Sequence, residues 1–184
     1  RIAGQVEWNP EDHGFSAPDQ RKLDPFTMWA LMASDEALRD AGLEDVKDQP
    51  DEVRERFGTI IATGIGGITG ILEQYDTMLE KGARRVSPHF IPRIMANAVS
   101  GQVAIRQGFL GTAFTTSSAC ASAGHAIGMA WRAIQWGDAD VALVNSTCFS
   151  QELMGRLEKR AAELLRPGAL FVVDIIKEHI AIAE

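Results

Sequence analysis

Short β-prone runs and helix-type segments alternate along the middle of the chain, and this alternation constrains the fold more than any other feature. The β-prone runs cover residues 57–62, 113–117 and 141–144, and helical segments separate them. Parallel strands need a long crossover connection, usually a helix, so this order is typical of layered α/β proteins. The sequence predicts an α/β layered fold with a largely parallel sheet between helices.

The spacing of apolar and turn-forming residues predicts the remaining elements. Residues 1–25 are rich in Pro, Gly and Asn and predict loops, and the two prolines within residues 87–92 predict an extended or turning path. After residue 150 the sequence predicts a charged helix over 152–165 and a strand over 169–176. The other helices are predicted from apolar spacing over residues 25–41, 69–80, 93–109 and 119–136.

Composition and charge exclude several classes of protein. The 184 residues are 46% apolar and carry a net charge of −7, which excludes a disordered or collagen-like chain. Lys and Arg do not cluster, so we expect no nucleic-acid partner. The longest stretch without a charged side chain, residues 107–131, is rich in Ser, Thr and Gly. It predicts a buried strand followed by a buried helix, and we expect no membrane span.

Cysteine usage and the N-terminal residues bear on the compartment. The chain has two cysteines, Cys120 and Cys148, without the spacing of a disulfide framework, and it has no segment with the pattern of an export signal. We therefore expect a reducing, cytoplasmic setting. The first residue is Arg1, and we expect the chain to be an excerpt from a longer protein.

A glycine cluster follows the first predicted strand and opens a helix: Gly64, Gly66, Gly67 and Gly70. Its spacing is one residue longer than the dinucleotide fingerprint G-x-G-x-x-G, and no acidic strand end follows to hold a ribose. A close-packed strand-to-helix turn is the favoured interpretation. Neither the acidic residues nor the four histidines show metal-ligand spacing, so we predict no cofactor and no metal.

Cys120 is the strongest candidate for chemistry. It follows a β-prone run and precedes a Gly/Ala-rich helix. A thiol at a helix N-terminus faces the positive end of the helix dipole, which favours the thiolate and suits a nucleophile. A buried structural cysteine explains the same pattern equally well.

The neighbours of Cys120 are weaker candidates. Ser122 does not fit the nucleophile elbow G-x-S-x-G, because that motif has Gly where this chain has Cys120. His125 lies five positions along the helix, about 140° around it from Cys120, and is predicted to be a packed helix residue rather than a base. Cys148 lacks a comparable context and is predicted to be an inert, half-buried thiol.

Six ordered motifs resemble the β-ketoacyl-acyl carrier protein synthases, specifically the elongating type I/II condensing enzymes of fatty acid and polyketide synthesis. The resemblance covers about residues 15–144 and follows the order of that family's N-terminal half. The motifs are QRKLDPF (20–26), TGIGG (63–67), SPHFIP (87–92), Asn97 with Gly101-Gln102, SACAS (118–122) and GDADV (137–141). By this resemblance, Cys120 is identified as the family's nucleophile.

The resemblance implies a thiolase-like fold built from two similar halves. It also implies that Cys120 takes an acyl group from acyl carrier protein as a thioester, and that its backbone N–H is one oxyanion-hole donor. Malonyl-carrier protein is then decarboxylated, and its carbanion attacks the thioester to give a β-ketoacyl product. In the family the two catalytic histidines and a lysine come from the C-terminal half, and subunits pair through the N-terminal half. We therefore expect a homodimer.

The chain also departs from the family's pattern. Residues 1–150 are predicted to form the N-terminal half without its first strand, and residues 151–184 an unmatched helix–strand tail. After Val144 the family continues with a Gly-Gly-Ala/Ser-Glu type turn, which this chain lacks, and His179 lies outside either Gly-rich histidine motif. One alternative is a non-catalytic remnant or dimerisation module of the same fold. Another is a thiolase or an initiating synthase, which the Cys120 context and residues 87–92 fit poorly.

Overall fold

The computed structural model describes residues 8–145, Arg156, Lys159 and residues 170–174. Short 3-10 helices lie at Pro10–His13, Val46–Asp48 and Ala83–Arg85. In chain order, the α-helices and strands of residues 8–145 and 170–174 are α1 (Ala17–Lys22), α2 (Pro25–Asp40), α3 (Asp51–Arg54), β1 (Phe57–Ala62), α4 (Ile68–Lys81), α5 (Phe90–Ile94), α6 (Ala98–Gln107), β2 (Ala113–Thr116), α7 (Ser122–Trp136), β3 (Val141–Asn145) and β4 (Leu170–Asp174).

The four strands form one sheet in the order β2-β1-β3-β4, and every neighbouring pair is parallel. Ile60 of β1 pairs with Phe114 of β2 on one side and with Val144 of β3 on the other. Strand β4 lies inside the strand predicted over residues 169–176 and pairs with β3. The predicted largely parallel sheet is confirmed.

Side chains alternate between the two faces of the sheet, and each face packs against helices. Phe57 and Ile61 of β1 point into a core that also contains residues of α2 and α6, such as Leu38 and Val103. Ile60, on the opposite face, packs with three small or branched residues of α7. Because successive side chains of a strand point to opposite faces, this arrangement buries both faces of β1 and places the sheet between helices.

The hydroxyl of Ser100 fastens α6 to the sheet. Ser100 is 1% exposed, and its Oγ donates to the carbonyl of Phe114 at 2.7 Å. The same oxygen lies 2.7 Å from Thr115 Oγ1 and accepts from the N–H of Ile61 at 3.3 Å. A helix residue is thus bonded to both β1 and β2.

A two-pronged ion pair joins the start of β1 to the turn before β3. Arg56 donates through Nε to Asp140 Oδ2 and through Nη2 to Asp140 Oδ1, each at 3.0 Å. Its Nη2 also donates to the carbonyl of Gly137 at 2.7 Å. Paired, parallel bonds from a guanidinium to a carboxylate are geometrically specific and stronger than a single contact.

The prediction of a single helix over residues 93–109 is wrong, because the chain forms two helices there, α5 and α6. Met95, the residue directly after α5, is extended with ψ 136°. The carbonyl of Ile94 accepts from the N–H of Gly67 at 3.0 Å, so a contact with a distant loop interrupts the helical pattern. Helix α6 then starts after Asn97.

Two predicted loops also contain helix. Residues 17–22 form α1, which begins with a capping box between Ser16 and Asp19. Pro92 lies in the first turn of α5. A first-turn N–H has no intrahelical acceptor, so a proline is tolerated there.

The segment after residue 145 is described only in part. Arg156 and Lys159 are helical, and the rest of the helix predicted over residues 152–165 lies outside the described residues, as do Cys148 and His179. In the described parts of the chain, no helix is long and apolar enough to cross a membrane.

Candidate active site

Two loops meet where strands β1 and β2 end. Ala62 pairs with Thr116 at the last register position, and the N–H of Thr63 donates to the carbonyl of Thr116 at 3.2 Å. Residues 63–67, the glycine loop, therefore leave the sheet beside residues 117–121, the cysteine turn. Ligands of open parallel sheets bind beyond the carboxyl ends of the strands, so a binding site is expected at this edge of the sheet.

The cysteine turn presents Cys120 at the surface. Cys120 is exposed and is a free thiol. Ala119, immediately before it, has φ 49°, the only positive φ of a residue other than Gly in the described part of the chain. A side chain makes this conformation unfavourable, so the surrounding contacts must hold it. The structure thus places the Cys120 thiol at the surface and not in the core of the described residues.

Helix α7 begins at Ser122, three residues later than the sequence predicts. Residues 119–121 are needed for the turn that reverses the chain after β2. The N–H of Ala121 donates to the carbonyl of Ser118 at 3.0 Å, and that of Ser122 to the carbonyl of Ala119 at 3.1 Å. Cys120 thus lies two residues before the first residue of α7, at the tip of a strand-to-helix turn.

The hydroxyl of Ser122 bonds back into the cysteine turn. Its side chain is buried, with the residue only 4% exposed. Ser122 Oγ accepts from the N–H of Ser118 and lies 2.7 Å from the carbonyl of Ala119, to which it donates. The carbonyl of Ser122 accepts from Thr116 Oγ1 at 2.8 Å. A hydroxyl that is buried and already hydrogen-bonded to the backbone is poorly placed to act as a nucleophile. The sequence around Ser122 likewise matches a nucleophile elbow only weakly.

His125 contacts the turn but not through Cys120. Its Nδ1 lies 2.8 Å from Ser118 Oγ. The predicted packing of His125 in the helix layer is wrong, because the residue is exposed. Among the described residues, the hydrogen bond of the His125 ring is to Ser118, and none joins it to Cys120.

The glycine loop is packed tightly, as predicted. A Cβ on Gly66 would lie 2.8 Å from the carbonyl oxygen of Ile94, and a Cβ on Gly67 would lie 2.8 Å from the Cα of Ile94. A Cβ on Gly64 would contact Ala119 at 3.9 Å, and Ser117 Oγ donates to the carbonyl of Gly64 at 3.4 Å. Glycine is required at positions 66 and 67, where the backbone of Ile94 approaches this closely.

A buried carboxylate holds the helix that follows the glycine loop. Asp24 is 2% exposed, and its Oδ2 accepts from the N–H of Gly70, in the first turn of α4, at 3.0 Å. Arg93 Nε lies 3.9 Å from the same oxygen, and Arg93 Nη1 pairs with Glu73 at 3.0 Å. Burial raises the pKa of the Asp24 carboxyl, and the Gly70 N–H and the Arg93 charge offset only part of that rise.

The sequence motif around residues 20–26 contains Asp24, but residue spacing does not indicate its contact with Gly70 in the first turn of α4. The contact spans 46 residues. In the described ranges, no three or more His, Cys, Asp or Glu side chains form a group that could hold a metal ion.

Comparison with known proteins decides the family. The model of the family described as "Beta-ketoacyl synthase, N-terminal domain" matches residues 2–168. The chain belongs to this family. The matched region runs past residue 150, and a division of the chain at that point stays a prediction.

Relatives of this β-ketoacyl synthase domain carry consistent names. The 3-oxoacyl-[acyl-carrier-protein] synthase 2 of Rhizobium meliloti (strain 1021) is 43% identical over 136 residues, which is 74% of this chain and 32% of the relative. The synthase of the same name from Staphylococcus aureus (strain N315) is 37% identical over 79% of this chain and 34% of its own length. A mitochondrial 3-oxoacyl-[acyl-carrier-protein] synthase of Arabidopsis thaliana is 44% identical over 66% of this chain and 26% of its own length. The chain thus spans about a third of the length of these relatives or less.

Solved structures agree on the fold. A ketosynthase in complex with its type II PKS acyl-carrier protein, bound to a hexaketide, has a TM-score of 0.66 and 24% identity, and covers 84% of this chain and 44% of its own. A beta-ketoacyl synthase from Burkholderia phymatum STM815 has a TM-score of 0.56 and 29% identity over 69% of this chain and 30% of its own. The predicted thiolase-like α/β fold, N-terminal half, is confirmed.

Proposed function

We propose that the chain carries the acyl-accepting nucleophile of a β-ketoacyl-acyl carrier protein synthase, with Cys120 as that nucleophile. The observation that supports this most directly is the exposed Cys120 on a tight turn, where the carboxyl ends of β1 and β2 meet. The family membership and the names of the relatives supply the reaction class. Buried contacts hold the turn, while the thiol itself stays open to a substrate.

In the proposed acylation step, the sulfur of Cys120 attacks the carbonyl carbon of an acyl thioester. A carbon–sulfur bond to Cys120 forms, the bond to the carrier's sulfur breaks, and the released carrier thiol takes up the proton that Cys120 loses. The backbone N–H of Cys120 is the proposed donor to the oxygen that gains charge. A donor aimed at that oxygen stabilises the transition state more than the substrate.

The condensation step needs groups beyond the described residues. Malonyl-carrier protein loses carbon dioxide, and the resulting carbanion attacks the carbonyl carbon of the Cys120 thioester. The carbon–sulfur bond to Cys120 then breaks, and the released thiolate takes up a proton from solvent. In our proposal, residues 1–150 form the N-terminal half of the enzyme and residues 151–184 a tail, and the histidines that assist decarboxylation belong to a second half.

Acyl carrier protein is the proposed donor of the acyl group, and acyl and malonyl thioesters are the proposed substrates. Several relatives are named for a reaction on an acyl-carrier protein, and a ketosynthase of similar fold was solved in complex with one. We also propose a cytoplasmic location, because the two cysteines lack the spacing of a disulfide framework.

A homodimer is also part of the proposal. Helix α4 and the loop before it expose large apolar side chains at helical spacing, including Ile65, Ile68, Leu72, Tyr75 and Leu79, which are 47–71% exposed. A contiguous exposed apolar surface favours association. Size-exclusion chromatography with light scattering tests this, and a monomer at micromolar concentration contradicts it.

The nucleophile assignment is tested with a thiol-directed inhibitor that mimics an acyl group. We expect it to label Cys120 in preference to Cys148, as located by peptide mass spectrometry, and Cys120→Ser to remove that label. Equal labelling of both cysteines, or labelling of neither, contradicts the assignment.

The non-catalytic alternative is not favoured, because the relatives are named as synthases. The two possibilities differ in one further measurement. Malonyl-dependent formation of a β-ketoacyl product by this chain refutes a purely structural role, whereas acylation of Cys120 alone does not.

A further inference from the structure

The conformation of the cysteine turn requires support from outside its own backbone. Ala119 adopts φ 49°, which costs free energy for a residue with a side chain. Two backbone bonds close the turn, from Ala121 and from Ser122. Neither of these bonds involves the N–H of Ser118, where the chain leaves β2.

The Ser122 hydroxyl bonds to two peptide groups of the turn, the one between residues 117 and 118 and the one between Ala119 and Cys120. It accepts from the N–H of Ser118 at 2.7 Å and donates to the carbonyl of Ala119 at 2.7 Å. The residue is 4% exposed, so water does not readily replace either partner. The hydroxyl therefore bridges the segment that immediately precedes Cys120.

The backbone of Ser122 is bonded to the sheet, and its side chain does not cap α7. Its carbonyl accepts from Thr116 Oγ1 at 2.8 Å, at the last residue of β2. Ser122 is the first residue of α7, and the helix has Ala121 at its N-cap without a side-chain capping bond. The side chain bonds backward across the turn, so its removal leaves the backbone bonds of the helix in place.

We propose that Ser122 is a positioning residue that holds the Cys120 turn in the conformation needed for acyl transfer. This inference rests on the proposed function of Cys120. Acyl transfer needs the sulfur and the oxyanion donor in a fixed relation to the thioester carbonyl, whereas alkylation by a small electrophile needs only an accessible sulfur. Loss of the Ser122 hydroxyl therefore separates the two reactions.

The experiment compares the wild-type chain with Ser122→Ala, Ser122→Thr and Ser117→Ala. Ser117→Ala is the matched control, because it also removes a hydroxyl from the cysteine turn. The Ser117 hydroxyl makes only a 3.4 Å hydrogen bond to the carbonyl of Gly64. Two rates are measured at Cys120 by peptide mass spectrometry, which separates it from Cys148: acylation by a small acyl thioester and alkylation by iodoacetamide. Thermal unfolding is followed by circular dichroism.

For Ser122→Ala we expect acylation to slow by about tenfold or more, since small displacements of reacting groups can cost up to ~10²-fold. We expect alkylation to change by less than about threefold, because it needs no oxyanion donor. Unfolding stays cooperative, Ser117→Ala behaves like the wild type, and Ser122→Thr, which keeps the hydroxyl, acylates faster than Ser122→Ala.

Acylation of Ser122→Ala at the wild-type rate overturns the inference while leaving the nucleophile assignment intact. Equal slowing of both reactions, or loss of cooperative unfolding in Ser122→Ala, also overturns it in favour of a purely structural role. If the wild-type chain itself is not acylated, the proposed function is refuted, and the inference with it.

Discussion

Replacing Gly70 by Ala tests whether Asp24 anchors the helix behind the glycine loop. Gly70 lies in the first turn of α4 and donates its N–H to Asp24 Oδ2 at 3.0 Å. A Cβ at this position would lie 2.7 Å from the same oxygen and 3.0 Å from Ile94 Cγ2. No real Cβ contact is that short, so either the carboxylate or the start of α4 must move.

Two opposing contributions decide the sign of the change in stability. Replacing Gly by Ala in a helix stabilises the folded state by about 0.5–1 kcal/mol. Displacing the carboxylate weakens a buried hydrogen bond to a charged group, which contributes roughly 1.5–3 kcal/mol. The net expectation is a loss of about 0.5–2.5 kcal/mol, or a fall in the unfolding midpoint of roughly 1–10 °C for a chain of this length.

The control is Gly128→Ala in the middle of α7. A Cβ on Gly128 would have no neighbour within 4 Å beyond the local helix backbone, so only the gain in helix propensity applies. We expect this variant to gain up to about 1 kcal/mol. Thermal and urea unfolding, followed by circular dichroism, measure both variants. A Gly70→Ala protein as stable as Gly128→Ala refutes the anchoring role of Asp24.

The side chains of Asp24, Ser100 and Arg56 give further predictions for unfolding experiments. The pKa of Asp24 in the folded state is raised above its ordinary 3.8. Between these two pKa values the folded chain binds more protons than the unfolded chain, so this contribution to stability falls as the pH rises through that window. In urea titrations at several pH values, the unfolding free energy of the wild type minus that of Asp24→Asn should fall likewise. Ser100→Ala leaves buried partners unsatisfied and should lower the urea-unfolding free energy by about 1–3 kcal/mol. Arg56→Lys keeps the charge but loses the paired bonds to Asp140 and should cost about 0.5–1 kcal/mol, whereas Arg39→Lys at an exposed single contact should cost nothing measurable by urea unfolding.

Each of these has a distinct contradicting result. A pH-independent difference for Asp24→Asn would show that its carboxyl titrates alike in both states. A neutral Ser100→Ala would mean that the hydroxyl contributes nothing to joining α6 and the sheet. Equal effects of the two Arg→Lys changes would remove the reason for distinguishing the paired contact of Arg56 from an ordinary surface ion pair.

The parallel sheet and most helices were predictable because their signals are local. Strand β1 matches its prediction at both ends, residues 57–62, and α2 and α4 match theirs to within a residue. The break between α5 and α6 was not predictable, because apolar spacing continues across residues 95–97. The carbonyl of Ile94 is taken by Gly67, and that bond depends on the tertiary fold.

The candidate site was predictable only at its centre. Cys120 stands out because its small neighbours and the strand-to-helix order are visible in the sequence, and the ordered motifs make the resemblance specific. The support of the turn is not visible in the sequence, where Ser122 is only a weak match to a nucleophile motif, whereas its hydroxyl is bonded to residues 118 and 119. The contact between Asp24 and Gly70 likewise joins residues 46 positions apart. Periodicity does not report such long-range polar contacts.

Transfer of an acyl group from an acyl carrier protein to this chain is the most direct measurement of the central claim. The chain and its Cys120→Ser variant are each mixed with an acyl-carrier protein thioester, and the products are analysed by intact-mass and peptide mass spectrometry. We predict a mass increase of one acyl group on the wild-type chain, located at Cys120 and absent from Cys120→Ser. No adduct on the wild-type chain, or an adduct that persists in Cys120→Ser, would contradict the assignment of Cys120 as the acyl-accepting nucleophile.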